Sequence, residues 1–447
     1  MKHATHLQSG SVIESNQVLA KAGSEMKRWN IALACLLLWT HAAWAGGLAI
    51  GDKSAHASGM GNAFTAVADD ASAAWFNPAG AAFTTGMKIM LGNAAIIIPG
   101  TKYTPNSATV SLPGLPAQAA TKSEGKTFFV PHLYYTYWDE KSMLGASISI
   151  NAPFGLETDW PKNSSLASSA TVSKLSLVNI NPSVIFKFNH QLSVSTGFSY
   201  VYLKNIRLDN LFQRLEAKNK GGWGATASVM WRSQQFSLGL TYRSRVHINI
   251  TDGVAIGGWA LASENPALVG ARATGNTSMT LPDNVNIGIA WHANDAWLFS
   301  AEADWTNWST FKEVRINYAP SALAKSQLLT GGTGTHILTQ NWKDTVTFRA
   351  GMEWRFAPHM RARMGYAFDP TPVNAADFAP STPGNDSHIF SLGYSIAFND
   401  AINLDLAYSH VYIRKRDQRA STGTDAVRNG RYSSSANVVA TSLQYSF

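Results

Sequence analysis

The stretch Phe390-Ser391-Leu392-Gly393-Tyr394-Ser395-Ile396-Ala397-Phe398 alternates large apolar with small residues, and Ile402-Asn403-Leu404-Asp405-Leu406-Ala407-Tyr408-Ser409 repeats the pattern after a short turn. A third run, Val439-Ala440-Thr441-Ser442-Leu443-Gln444-Tyr445-Ser446-Phe447, carries it to the last residue. A period of two marks β-strands, because successive side chains point to opposite faces. A soluble sandwich strand also alternates, with large residues inward and charges outward. Here the apolar parity is rich in aromatics and the other parity is tiny or polar, which is how a lipid-facing barrel wall reads.

Segments of the same period fall near 86–98, 127–138, 142–153, 178–188, 192–206, 222–232, 236–249, 276–292, 296–318, 343–356, 360–369, 386–398, 402–412 and 434–447, fourteen in all. The links at 139–141, 189–191, 233–235, 293–295, 357–359 and 399–401 are short, and the seven others are longer. Short turns on one side, long loops on the other and an even strand number predict an all-β fold: a 14-stranded antiparallel transmembrane β-barrel over 86–447, with both ends in the periplasm. Glu302, Asp304, Arg349, Glu353, Arg355, Arg361, Arg363 and Asp405 fall opposite the apolar faces of their strands. Such charges are costly against lipid and tolerated in a wet or ion-paired lumen, where they read as a ladder of salt bridges.

Met26 opens an export signal of Lys27 and Arg28, the apolar run Ile31 to Trp39, and Ala43-Trp44-Ala45 as a small-x-small cleavage site. This predicts a signal peptide at 26–45 and leaves 1–25 as an over-long extension. The apolar run is shorter than the roughly 18 to 20 residues of a spanning helix. The single cysteine, Cys35, lies within it, so the exported chain has no disulfide framework and barrel closure must do the stapling. The formal charge of +8 includes a net +2 on 1–45, leaving about +6. Modest charge, 14% charged residues and no long basic run argue against nucleic acid as a partner. Mean hydropathy near zero, with no long apolar stretch, argues against a helical membrane protein.

Residues 46–85 are small, polar and Gly/Ala-rich, too poor in apolar alternation to be wall; they either dangle or fold into the lumen as a plug. Their motifs are Ser58-Gly59-Met60-Gly61-Asn62-Ala63-Phe64, Ala68-Asp69-Asp70-Ala71-Ser72 and Asn77-Pro78-Ala79-Gly80. With Leu281-Pro282-Asp283, Trp305-Thr306-Asn307-Trp308-Ser309, Asn341-Trp342-Lys343-Asp344 and Gly365-Tyr366-Ala367-Phe368-Asp369 in the same order, the chain resembles the FadL-type family of outer-membrane transporters for long-chain fatty acids and aromatic hydrocarbons. The resemblance implies that 46–85 is an N-terminal hatch carrying the motif residues Asp69, Asp70, Asn77, Pro78 and Ala79. It also implies capture of hydrophobic substrate outside and sideways release through a kinked third strand. The candidate for that opening is Asn151-Ala152-Pro153-Phe154-Gly155: Pro153 removes a ladder donor and Gly155 weakens pairing. The other reading is that the strand ends there.

External capture of an apolar molecule needs apolar side chains in loops. Leu208, Leu211, Phe212 and Leu215 have helical spacing in the third loop, and Trp259 and Leu261 stand out in the fourth. They form a low-affinity groove or merely cap the barrel. Phe64, Trp75 and Phe76 either line a deeper pocket or wedge the hatch, with Asp69 and Asp70 anchoring it through lumen arginines. A fatty acid needs a cation for its carboxylate; Arg207, at inward parity, and then Lys204 are the candidates. Ile337-Leu338-Thr339-Gln340 offers no second cation, which leaves aromatic hydrocarbons open. A general porin is the further alternative. No nucleophile or metal spacing supports an enzyme or a cofactor, even with His388 and His410 near the outer rim. Expected partners are the hydrophobic molecule, outer-membrane lipid, lipopolysaccharide beside Arg414-Lys415-Arg416 and Arg419, and the barrel-assembly machinery through Phe447.

Overall fold

A computed structural model describes residues 48–447; the expected signal peptide and N-terminal extension lie outside the described residues. Fourteen antiparallel strands close into a barrel. They are β1 Gly86–Ile98, β2 Lys126–Asp139, β3 Leu144–Asn151 with Gly155–Asp159, β4 Val172–Lys187, β5 Leu192–Asp209 and β6 Gln213–Arg232. Next come β7 Phe236–Arg243 with Val246–Gly257, β8 Arg272–Leu281 with Asn284–His292, β9 Glu313–Tyr318 following Trp297–Thr306, and β10 Thr335–Thr339 with Thr345–Ala357. The ring ends with β11 Met360–Asp369, β12 Ser387–Ala397, β13 Ile402–Ile413 and β14 Ser435–Ser446. Five strands are thus interrupted once, which gives the nineteen ladder segments of the sheet. β14 pairs with β1, Leu443 opposite Leu91, so no edge is left open there.

The alternation that opened the sequence is the alternation of the wall. Phe390 and Leu392 on β12 are 54% and 55% exposed while Ser391 and Ser395 are 2% exposed. The outer surface faces hydrocarbon, and the ion pairs lie on the inner face, where Arg363 reaches Glu353 and Asp405, each at 2.7 Å. Arg361 adds a pair to Glu353 at 3.4 Å and Arg349 one to Asp304 at 3.6 Å. Arg355, beside a register shift in β10, is exposed.

One expected loop is absent. β5 and β6 meet in a tight hairpin, because Asn210 Oδ1 accepts hydrogen bonds from the backbone N–H of Phe212 and of Gln213, both at 2.9 Å. Leu208 stands opposite Leu215 and Asp209 opposite Arg214, so the helical spacing of Leu208, Leu211, Phe212 and Leu215 is that of a β-hairpin whose leucines pair across two strands. The neighbouring loop does contain helix, a 3-10 turn at Trp259–Ser263. Within the basic stretch, Arg416 is buried, its guanidinium 4.8 Å from the Phe378 ring. Arg414 and Arg419 pair with Asp386 and Asp417.

Candidate functional site: two cavities against the inner wall

Residues 48–83 are short turns: α1 Ala55–Gly59, capped by Ser54, α2 Ala73–Phe76, and a 3-10 helix at Pro78–Phe83 that starts on Pro78. Nearly every residue of the segment is buried, and its hydrogen bonds reach inward-facing side chains around the ring. Glu302 on β9 accepts from the N–H of Phe64 at 3.0 Å and of Thr65 at 2.8 Å. Ser228 on β6 accepts from the Ala79 N–H, Ser193 on β5 donates to the Ala79 carbonyl, and Asn77 Nδ2 donates to the carbonyls of Thr65 and Val229. The small residues of the inner face now have a reason. A Cβ added to Gly59 would lie 2.9 Å from the Gly393 Cα on β12, and one added to Gly61, at φ +64°, would lie 2.8 Å from the Tyr366 nitrogen.

Asp70 is held by a histidine where an arginine was expected. His56 Nδ1 is 3.0 Å from Asp70 and its Nε2 3.2 Å from Glu353, which links α1 to the buried Arg363–Asp405 pair. Burial and the nearby Arg363 oppose a charge on His56, but its bonds with Asp70 and Glu353 outweigh them and raise its pKa to about 9. Asp69 lies 4.0 Å from the same imidazole. The sequence signal was present, a lone histidine in a run of alanine, serine and glycine, and it went unused.

Two cavities flank the segment. The outer one, about 390 Å³, lies among Leu48, Leu156, Leu175, Ile206, Leu208 and Leu215 on one side and Met279, Phe311 and Trp342 on the other. The inner one, about 140 Å³, is walled by Ala49, Ile50, Pro153, Phe154, Phe76 and Trp308, with Lys53, Trp75 and Arg243 beside them. An aromatic chain runs from one lining to the other: Phe311 to Trp342 at 4.9 Å, Trp342 to Trp308 at 5.1 Å and Trp308 to Phe154 at 6.0 Å, all edge to face. Trp75 carries the Arg243 guanidinium 4.1 Å from its ring. Burial first, then repulsion from Arg243 and Arg349, lowers the Lys53 pKa to about 7.

The breaks in β8, β9 and β10 put the aromatic chain there, and each coincides with a motif noted in the sequence. Pro282-Asp283 interrupts β8, Asn307 to Lys312 interrupts β9 and Asn341-Trp342-Lys343-Asp344 interrupts β10. Asp283 accepts from the Asn307 side chain at 3.1 Å and Asp344 from the Ser309 N–H at 2.8 Å, so the breaks are bonded to one another. β3 is broken as well. Leu144–Asn151 pairs with both β2 and β4, but Gly155–Asp159 pairs with β4 alone. Its other side meets the start of the chain, where Gly155 N donates to Leu48 O and Ile50 N to Pro153 O. Pro153 and Phe154 line the inner cavity at this interruption.

Of the candidate ligand residues, Leu208 and Leu215 line the outer cavity and Phe76 the inner one. Leu211 and Leu261 are buried in packing clusters, with Phe212 partly buried against both. Trp259 is 53% exposed, and Phe64 packs edge to face on His56 and Phe76. Arg207 is not at inward parity. The register of β5 against β4 shifts at Lys204, while that against β6 stays continuous; Ile206 and Leu208 line the cavity, and Arg207 does not but pairs with Asp209. The outer lining also holds the cations Lys174 and Arg428, the acids Asp209, Asp377 and Asp425, and His336, none of which the sequence reading singled out.

The family model of the outer membrane protein transport proteins (OMPP1/FadL/TodX) matches residues 36–447. The long-chain fatty acid transport protein of Escherichia coli is 25% identical, over 86% of this chain and 91% of its own. Two crystal structures share the fold. A Pseudomonas aeruginosa FadL homologue has 19% identity and a TM-score of 0.74, covering 90% of this chain and all of its own. The Pseudomonas putida toluene transporter TodX has 14% identity and a TM-score of 0.65 over the same shares.

Proposed function

We propose a function from one premise: the chain belongs to the OMPP1/FadL/TodX family and is an outer-membrane transporter of hydrophobic molecules. In our reading the substrate is a long-chain fatty acid, taken up without energy coupling. It is captured in the outer cavity and handed along Phe311, Trp342, Trp308 and Phe154 to the inner one. It leaves sideways at the interruption of β3, beyond which the second segment forms no ladder with β2. Residues 48–83 act as the hatch, and a small movement of Leu48 to Ile50, which lie between the cavities, opens the path.

The aromatic chain carries this reading, because it joins the two cavities by continuous apolar contact. The outer cavity is of a size that buries a whole small ligand. A second reading, aromatic hydrocarbons, is favoured by Lys174 and Arg428 in the outer lining being already paired, with Glu157 and Asp425. The test is uptake of labelled oleate and labelled xylene by whole cells expressing the chain or its Trp308→Ala, Trp342→Ala double variant. Uptake of either, lost in the variant, supports the route, and equal uptake by both proteins removes it.

A further inference from the structure

Six charged side chains line the inner cavity, Lys53, Arg243 and Arg349 against Glu302, Asp304 and Asp369. The signs balance by count but not by place. Every acid is already supplied with donors. Glu302 takes the backbone N–H of Phe64 and of Thr65 and, at 3.3 Å, the Asn286 amide. Asp304 takes the Asn284 amide at 2.6 Å and pairs with Arg349 at 3.6 Å, and Asp369 takes the Thr347 hydroxyl at 2.8 Å. Among the described residues, Arg349 is the only one of the three cations that has an ion pair.

Lys53 and Arg243 meet neutral acceptors alone. Lys53 Nζ donates to the Ile50 carbonyl, and Arg243 donates to the Trp75 carbonyl and to Oδ1 of Asn284 and Asn286 at 3.3 and 3.1 Å. Both also pack on one ring, with Lys53 Nζ 5.0 Å and the Arg243 guanidinium 4.1 Å from the Trp75 centroid. The ring offsets part of the cost of removing each charge from water, but two like charges that share it repel. That burial and that repulsion hold Lys53 near pKa 7; Asp52 and Asp304 attract it, yet neither pairs with it. Phe154 and Trp308, the inner end of the aromatic chain, line the same space. An acyl chain lying against them would end beside two cations that lack an anion.

We propose that the inner cavity is a carboxylate site, in which Lys53, just ahead of α1, and Arg243 of β7 bind the headgroup of a fatty acid whose chain lies along Trp308 and Phe154. This rests on the fatty-acid reading above and assigns the headgroup to the inner cavity. In the outer cavity Lys174 and Arg428 are already neutralised by Glu157 and Asp425, so the carboxylate passes them by.

The test is equilibrium binding of radiolabelled dodecanoate, 1-dodecanol and p-xylene to the full protein in lipid nanodiscs at pH 6, where Lys53 keeps most of its charge. Each probe is read as its affinity for the wild type relative to a variant, so that its partition into lipid cancels. Lys53→Met and Arg243→Gln should each weaken dodecanoate roughly ten- to a hundredfold, as for a lost charge-assisted hydrogen bond, while dodecanol stays within about twofold. Arg243→Lys, which keeps the charge, should retain most of the dodecanoate affinity. A heat-modifiable gel shift confirms that each variant is folded. Equal losses for dodecanoate and dodecanol would make the two residues structural, and dodecanoate binding that neither Lys53→Met nor Arg243→Gln weakens would put the headgroup elsewhere. Either result overturns the proposal and leaves hydrophobic uptake standing. Binding of p-xylene without dodecanoate removes the fatty-acid reading itself, and the proposal with it.

Discussion

β11 to β14 run without interruption, whereas β7 to β10 each break once, and these two four-strand arcs, the unbroken and the broken half of this stretch of the ring, share one lipid-facing surface but differ inside. The unbroken half presents small residues and the buried Arg363–Asp405 pair, against which Gly59 of α1 and the following Gly61 pack. The broken half turns backbone and tryptophans inward and supplies one wall of the cavities. A continuous ladder satisfies its own hydrogen bonds and leaves only side chains to specify the lumen. An interrupted one frees groups that must be satisfied by each other, as Asp283 and Asp344 do, and so fixes a shaped site.

The largest effect is expected in the unbroken half. Arg363 and Asp405 have side chains 1% exposed, so Arg363→Ala, which strands two carboxylates, should cost about 3–5 kcal/mol in guanidinium unfolding. Arg361, 34% exposed, should cost far less; equal losses would erase the distinction between a buried anchor and a lumen-surface charge. Next, Leu392→Arg on β12 and Leu240→Arg on β7 should each cost about 2–4 kcal/mol if near the bilayer midplane, because both side chains face lipid. A difference between them would mean that the halves differ outside as well as inside.

Smaller effects separate transport from stability. Trp342→Ala removes edge-to-face contacts worth about 0.5–1.5 kcal/mol beyond burial, so ligand affinity should fall roughly three- to tenfold, while Phe390→Ala on the lipid face leaves affinity unchanged. The smallest effect is a pH dependence. His56 titrates near 9 when folded, above its unfolded value of 6.5, so its contribution is complete below about pH 6.5 and is lost as pH rises through 9. Exchange protection of 54–60, corrected for intrinsic rate, should drop between pH 8 and 10, and His56→Gln should abolish that step. A step centred near pH 6.5 would contradict the paired histidine.

The unbroken half was legible because period two survives in plain sequence wherever one face is greasy and the other small, as from Phe390 to Phe398. The broken half was legible only through motifs: Pro282-Asp283 and Asn341-Trp342 were recognised, but nothing local says that they interrupt strands which then resume. The third loop was misread because Leu208, Leu211, Phe212 and Leu215 fit a helix as well as a hairpin, and only Asn210 marked the turn. Arg207 was misplaced by one bulge, since a single extra residue reverses parity for everything beyond it. The outer cavity depends on residues brought together from across the ring, such as Leu208 and Leu215 facing Phe311 and Trp342, which no spacing in the chain encodes.

The route through the wall is most directly tested by closing the interruption of β3. Val130 on β2 and Ala152 at the break belong to one apolar cluster, so Val130→Cys, Ala152→Cys can be bridged by a short reducible bismaleimide in whole cells. The account predicts that bridging stops uptake of the bound hydrophobic substrate and that cleaving the linker restores it, with binding to the outer cavity unchanged throughout. Full uptake with the bridge in place would contradict lateral release and move the exit to the barrel axis.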